Sequence, residues 1–287
     1  MNRTFMRRCC DRAANIFLFC VAFALVAATA AVAFFIIKKG AGALSWEFLS
    51  EPPRDGMMSG GVFTPLVGTV QLVLLSTGIA LPIGVTTGLY FAEYAGDSRA
   101  LSLMRVAIRS LAGVPSVIFG LFGLSLFVVF MGFGSCLLSA SLTLACLSLP
   151  LIVTASEQAF LAVPQDYRDA SYALGATKCQ TIFKIVLPSA APTIITGAIL
   201  AVGRAAGETA PIMFTGAAFF APEAARGLFS QVMALPYHIY VLATSATNRE
   251  AAEPIEYGAI VVLMALVFGS CAVAAAARAK LLERSGR

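Results

Sequence analysis

Apolar residues fill this 287-residue chain in long runs, and polar residues gather in a few gaps between them. A helix needs about 20 apolar residues to cross a bilayer. Six stretches meet that length: about Ile16 to Ile37, Phe63 to Tyr90, Ser110 to Phe133, Cys136 to Phe160, Ala190 to Met213 and Ile255 to Ala277. The first has a basic lead and an alanine-rich run around Ala27 to Ala33, which mimics a signal peptide. Its apolar run continues through Phe34-Phe35-Ile36-Ile37, so it reads as an uncleaved anchor. In the second, Pro82 and the pair Gly84 and Gly88 predict a bend and a close helix approach. Pro150 is expected to interrupt the fourth. The gaps read as loops: Lys38 to Gly61, with Trp46 as an interface anchor, Ala92 to Arg109, a turn at Gly132 to Ser135, and the long segment Phe214 to Pro254.

One gap is too ordered for a plain loop. Val163 to Pro188 reads V-P-Q-D-Y-R-D-A-S-Y-A-L-G-A-T-K-C-Q-T-I-F-K-I-V-L-P. Asp166 and Asp169 stand where an N-cap and a first-turn carboxylate would start a short helix, and Gly175 is placed to end it in a left-handed turn. Thr177 and Gln180 have capping-box spacing for a second short helix through Ile182, Phe183, Ile185 and Val186, with Pro188 as the next break. Two capped helices around a glycine make a rigid knob that another protein can grip.

Composition and charge fix the class and the orientation. Residues are 59% hydrophobic and 12% charged, against about 25% charged in a soluble domain. With both termini inside, 14 of the 20 basic residues fall in inner segments: Arg3, Arg7, Arg8 and Arg12; Arg99, Arg105 and Arg109; Arg168, Lys178 and Lys184; and Arg278, Lys280, Arg284 and Arg287. Outer segments hold five, Lys38, Lys39, Arg54, Arg226 and Arg249. Basic residues favour the cytoplasmic side, so the knob is expected in the cytoplasm. The seven cysteines are scattered and His238 is the one histidine, which argues against a metal site. There is no G-x-x-x-x-G-K-[ST] and no Gly-Lys dipeptide, so the chain has no P-loop of its own for ATP phosphates. No nucleophile–base constellation stands out either.

The fifth run carries two charges, Arg204 and Glu208, in A-V-G-R-A-A-G-E-T-A-P. A charge in the hydrocarbon costs at least about 2.5–3.5 kcal/mol on insertion scales and normally faces a cavity or a partner. Spaced i, i+4, they are expected on one helix face with Gly197, Ala201 and Pro211. That face either lines an anion path or holds a mutually neutralising pair that fixes packing. The acid lies C-terminal to the base, the less favourable order for a purely structural pair.

Asp169-Ala170-Ser171, three residues, Gly175, nine residues and Ile185-Val186-Leu187-Pro188 resemble the E-A-A-x3-G-x9-I-x-L-P loop of ABC-importer permeases, with Asp for Glu and Ser for the second Ala. F-A-E-Y-A (Phe91 to Ala95), L-A-G-V-P-S-V-I-F-G-L-F-G (Leu111 to Gly123), G-R-A-A-G-E-T-A-P (Gly203 to Pro211) and M-A-L-P-Y-H-I-Y-V (Met233 to Val241) extend the resemblance to phosphate-specific permeases of the PstA type, from about Gly60 to Ser245. One departure is the neutral stretch Thr154-Ala155-Ser156-Glu157-Gln158, which puts a role for Glu157 in doubt. The resemblance implies an all-α membrane protein of the ABC type I importer permease architecture. It would have six transmembrane helices and a cytoplasmic coupling helix in the inner membrane. Residues 1–15 would be a cytoplasmic lead, 16–277 the permease domain with its coupling loop at 163–188, and 278–287 a cytoplasmic tail. Asp169, Ala170, Ser171, Gly175, Ile185, Leu187 and Pro188 would then meet the ATPase, and Arg204 and Glu208 would line the substrate path. The implied partners are a homologous PstC-type permease, a PstB-type ATPase dimer, a PstS-type phosphate-binding protein and membrane lipid, with no nucleic acid. The chain would bind no cofactor, ATP and Mg being held by the ATPase. An ABC permease for another oxyanion or small solute is the alternative. A stand-alone carrier fits less well, since no internal repeat is visible, and an intramembrane enzyme fits least.

Overall fold

A computed structural model describes residues 3–285 except Asp97, Pro222 and Thr247, with side chains from 14 to 280. The side chains of Arg3, Arg7, Arg8, Arg12, Cys9, Cys10 and Arg284, and all of Arg287, lie outside the described residues.

Among the described residues five helical stretches are long and apolar enough to cross a membrane: Ala14–Ala43, Phe63–Tyr94, Leu137–Leu161, Lys178–Gly207 and Arg249–Lys280. They belong to helices α1 (Arg3–Gly40), α3 (Phe63–Leu89), α6 (Leu137–Leu161), α9 (Leu187–Gly207) and α12 (Arg249–Ser285). A short α2 (Trp46–Ser50) and a two-stranded hairpin, β1 (Pro53–Arg54) with β2 (Ser59–Gly60), fill the gap after α1. Trp46 is solvent-exposed there.

The sixth crossing departs from the expected straight span. Ala92 to Arg109 is not a loop: its second half forms α4 (Arg99–Leu111), started by Ser98, whose hydroxyl accepts from the Leu101 N–H at 3.3 Å. Pro115 then disfavours helix at the residue before it, and the chain turns by 103° into α5 (Ser116–Gly123), extended by a wider π-type turn to Phe130. Fifteen residues at about 1.5 Å each reach short of a full hydrocarbon layer. The tight turn that follows uses Gly132 and Gly134 at φ +70° and +74°.

Two expected proline breaks do not occur. α6 runs unbroken through Pro150, and Pro188 sits in the first turn of α9 rather than ending a helix. Just before it, α8 (Lys178–Thr181) passes into a widened turn, Ile182–Val186, closed by the Leu187 N–H on the Ile182 carbonyl. That turn makes room for the ring, and a membrane helix tolerates a proline whose neighbours satisfy the freed groups.

The centre of the bundle is the α3–α6 contact. A Cβ at Gly84 would lie 2.5 Å from Ile152 Cγ2, and one at Gly88 would lie 2.7 Å from Ser156 Cβ. The absent side chains are what let the two backbones approach. Leu72, Phe119, Leu144 and Ile212 pack into the core beside that seam. α9 closes on α6 at Gly197 and Ala155. α1 stands apart along most of its length, its apolar side chains exposed as lipid-facing residues would be. Its last turns meet α12, where Phe35 packs edge-on against Tyr257 and Lys39 pairs with Glu253 at 2.5 Å.

Candidate functional site

The knob forms at one end of the bundle. α7 (Gln165–Ala173) starts earlier than its carboxylates suggested: Pro164, in extended conformation, is the N-cap, Asp166 lies in the first turn, and Asp169 is inside the helix, accepting from Gln165 Nε2 at 3.1 Å. Gly175 ends it as expected, with φ +81°. The capping box is complete: Thr177 Oγ1 accepts from the Gln180 N–H, and Gln180 Oε1 accepts from the Thr177 N–H at 2.9 Å.

The side chains named from the sequence divide by face. Asp169, Ala170, Gly175 and Pro188 are exposed. Ser171 is buried and hydrogen-bonds Thr181 Oγ1 at 2.8 Å, clamping α7 to α8. Ile185 is half-buried, and Leu187 packs against the cluster of Phe160, Val163, Val186 and Ala190 beneath the knob. Tyr167, Tyr172 and Leu174, which the sequence reading passed over, stand out on the same surface, Leu174 at 90% exposure. Clefts of about 630 and 490 Å³ flank α7, one lined by Tyr167, Lys184, Ile185 and Pro188, the other by Glu93, Arg168, Tyr172 and Lys178.

What holds the knob is Arg168, a second residue the sequence reading missed as a site. It is buried, with Nε and Nη2 on Glu93 Oε1 at 3.1 and 2.8 Å, Nη1 on the Val163 carbonyl at 2.6 Å and Nη2 on the Phe160 carbonyl at 2.9 Å. An arginine fork spread over a carboxylate and two helix-end carbonyls fixes orientation as well as position. A neighbouring pair involves Glu157. It is buried on α6 and accepts from Arg105 Nε of α4 at 2.7 Å, with Arg109 3.8 Å away.

Arg204 and Glu208 meet, but not on one helix face as expected. α9 ends at Gly207 and Glu208 is its extended C-cap, so Pro211 belongs to a separate helix, α10 (Ala210–Thr215). Glycine at 207 and proline at 211 bracket the break. Arg204 Nε still donates to Glu208 Oε1 at 3.2 Å. Their side chains are 38% and 16% exposed. Among the described residues neither Nη of Arg204 has a protein partner. A cation in the last turn of a helix is favoured by the dipole. The pair lies sixteen residues along α9 from Pro188, about 24 Å from the knob. Beside it α10 packs on α5, where a Cβ at Gly120 would meet Pro211 Cα at 3.0 Å. MALPYHIYV falls on α11 (Leu235–Ser245) and the residues just before it.

The family of the chain is shown by its sequence profile. The sequence profile of the binding-protein-dependent transport system inner membrane component covers residues 84–285. The chain belongs to this family. It is a multi-pass membrane permease of the ABC importers, a transport subunit in a family that works with an ATPase and a substrate-binding protein. It is 33% identical over 251 residues to the probable ABC transporter permease protein YqgI of Bacillus subtilis, covering 83% of this chain and 85% of that one. It is 39% identical over 155 residues to the phosphate transport system permease protein PstA 1 of Mycobacterium tuberculosis, covering 54% of this permease and 51% of that relative, about half its length. A solved structure of the MetNI methionine ABC transporter in inward-facing conformations superposes with a TM-score of 0.59 at 20% identity, over 76% of this chain and 94% of that one. At that identity the likeness speaks for the fold: the permease has the ABC-importer architecture.

Proposed function

We propose that this permease is the PstA-type subunit of an ATP-driven phosphate importer. The observation that carries the substrate side is Arg204, whose Nε is held by Glu208 while, among the described residues, neither Nη has a protein partner. A guanidinium offers paired donors to an oxyanion. Phosphate near neutral pH still carries a hydroxyl, which the Glu208 carboxylate can accept. Sulfate carries none and is repelled. The PstA relatives support phosphate as the cargo.

The knob faces the cytoplasm in this reading, since Arg99, Arg105, Arg109, Arg168, Lys178 and Lys184 gather at its end of the bundle. Both termini are then cytoplasmic, in the inner membrane. The exposed face of α7, with Ala170, Leu174 and Gly175, docks on a PstB-type ATPase dimer that carries ATP and Mg. A homologous PstC-type permease completes the path, and a PstS-type phosphate-binding protein delivers cargo from outside. Transport proceeds by alternating access, outward-open with ATP and inward-open after hydrolysis. Arg204 in α9 is exposed to the path in turn.

The test is phosphate uptake by the assembled complex. Arg204→Gln is expected to abolish uptake with the complex intact. Glu208→Gln is expected to lower phosphate transport and to relax discrimination against sulfate, measured in a complex that works without the binding protein. Normal transport by Arg204→Gln would make the pair a structural one and remove it from the path.

A further inference from the structure

The last turn of the helix before α4 gathers more polar connections than its sequence announces. After Leu89, α3 widens into a π-type turn, Tyr90–Tyr94. Three basic side chains from three other helices converge on it. Arg168 of α7 takes Glu93 Oε1 with two nitrogens, at 2.8 and 3.1 Å, and both side chains are buried. Lys178, at the start of α8, donates to the Glu93 carbonyl and lies over the Tyr94 ring. Arg105 of α4 donates through Nη2 to the Phe91 carbonyl at 2.6 Å, and its guanidinium lies over the Phe91 ring, 5.5 Å from its centre.

The connections lead to two places. Arg168 and Lys178 belong to the knob. Arg105 belongs to α4, whose other anchor is Glu157 on α6. Beyond Pro115, α4 turns into α5, and α5 packs at Gly120 on Ala210 and Pro211, two and three residues after Glu208. One widened turn therefore joins the knob to the bent segment that reaches the ion pair. π-type turns occur mostly as single widened turns and often at functional sites. A buried ion pair adds little net stability over apolar residues of the same size, so its effect here is geometric: it fixes α7 to this turn in one register.

We propose that Glu93 is a positioning residue for coupled transport: through Arg168 it carries the movement of α7 into the Tyr90–Tyr94 turn, and through the Phe91 carbonyl and Arg105 into α4 and α5. This rests on the reading that α7 docks the ATPase. Displacing α7 pulls on Glu93, because Arg168 is held there on its other side by the Val163 and Phe160 carbonyls. The turn in turn pulls on α4 through a short, charge-assisted hydrogen bond.

The experiment uses the whole complex, permeases with ATPase and binding protein, reconstituted in proteoliposomes. It measures phosphate moved per ATP hydrolysed. Tyr172→Cys in a cysteine-free background reports docking by cross-linking α7 to the ATPase. With Glu93→Gln the cross-link and basal hydrolysis are expected to persist, while phosphate moved per ATP falls about tenfold, within the range by which residues in a coupling chain shift an equilibrium. Glu93→Asp should fall between, and Glu93→Arg with Arg168→Glu should regain part of the ratio. A wild-type ratio in Glu93→Gln with the cross-link intact overturns the proposal and leaves docking standing. No cross-link in the otherwise wild-type chain overturns docking itself and the proposal with it. Failure of all three variants to assemble would also overturn it, reducing the pair to a folding element.

Discussion

Adding one methyl group at Gly88 tests the α3–α6 seam on which the rest of the bundle rests. The new Cβ would lie 2.7 Å from Ser156 Cβ, 2.8 Å from the Glu157 nitrogen and 3.0 Å from the Val153 carbonyl oxygen. Comfortable carbon–carbon separation is about 3.5–4.0 Å, so the two helices must part by about 1 Å. Two of the three obstacles are backbone atoms and cannot rotate away. Overpacking of this kind costs about 1–3 kcal/mol, and here it also shifts Glu157, which is tied to Arg105 at 2.7 Å. Gly78 is the control on the same helix: nothing lies within 4 Å of a Cβ built there. Removing a helix-interior glycine where there is room gains about 0.5–1 kcal/mol. Thermal unfolding in detergent, followed by a fluorogenic maleimide in a background whose other cysteines are replaced by serine, so that it reads exposure of the buried Cys136 and partly buried Cys146, should show Gly88→Ala melting several degrees below that background and Gly78→Ala at or above it. Equal midpoints for Gly88→Ala and that background would refute the claim that backbone approach at this glycine holds the seam.

Gly175→Val separates strain from crowding, because no atom lies within 4 Å of its Cβ while φ is +81°. The left-handed backbone alone then costs about 1–2 kcal/mol. The chain should still insert, with uptake reduced relative to ATP hydrolysis and Gly175→Asn milder; wild-type uptake by an assembled Gly175→Val complex would count against it. His238 on α11 is buried with Nδ1 3.2 Å from Met57 Sδ, and desolvation lowers its pKa from 6.5 to about 4. The unfolded chain then binds the proton first as pH drops, so this residue's share of stability is complete above about pH 6.5. It is lost progressively towards pH 4, by up to about 3 kcal/mol in all. Melting curves between pH 4 and 7 should be steeper in pH for the wild type than for His238→Gln, and parallel slopes would refute this.

Local chemistry decided much of this protein before it folded. Run length and charge placement mark the crossings, since a bilayer admits only segments that satisfy their own backbone. Gly175 and the Thr177–Gln180 box mark the knob, because caps act within one turn. The contact of Arg204 with Glu208 spans only four residues and was also legible. Tertiary structure decided what local rules leave open. Proline at 115 and prolines at 150 and 188 send the same local signal, yet only the first accompanies a sharp bend. The outcome depends on whether packing and widened turns around each ring can hold the helix together. Glu157 meets Arg105 across 52 residues, and Glu93 meets Arg168 across 75. In sequence each is one charge among many at a membrane surface. Desolvation against packed helices selects the partner, and no spacing along the chain encodes it.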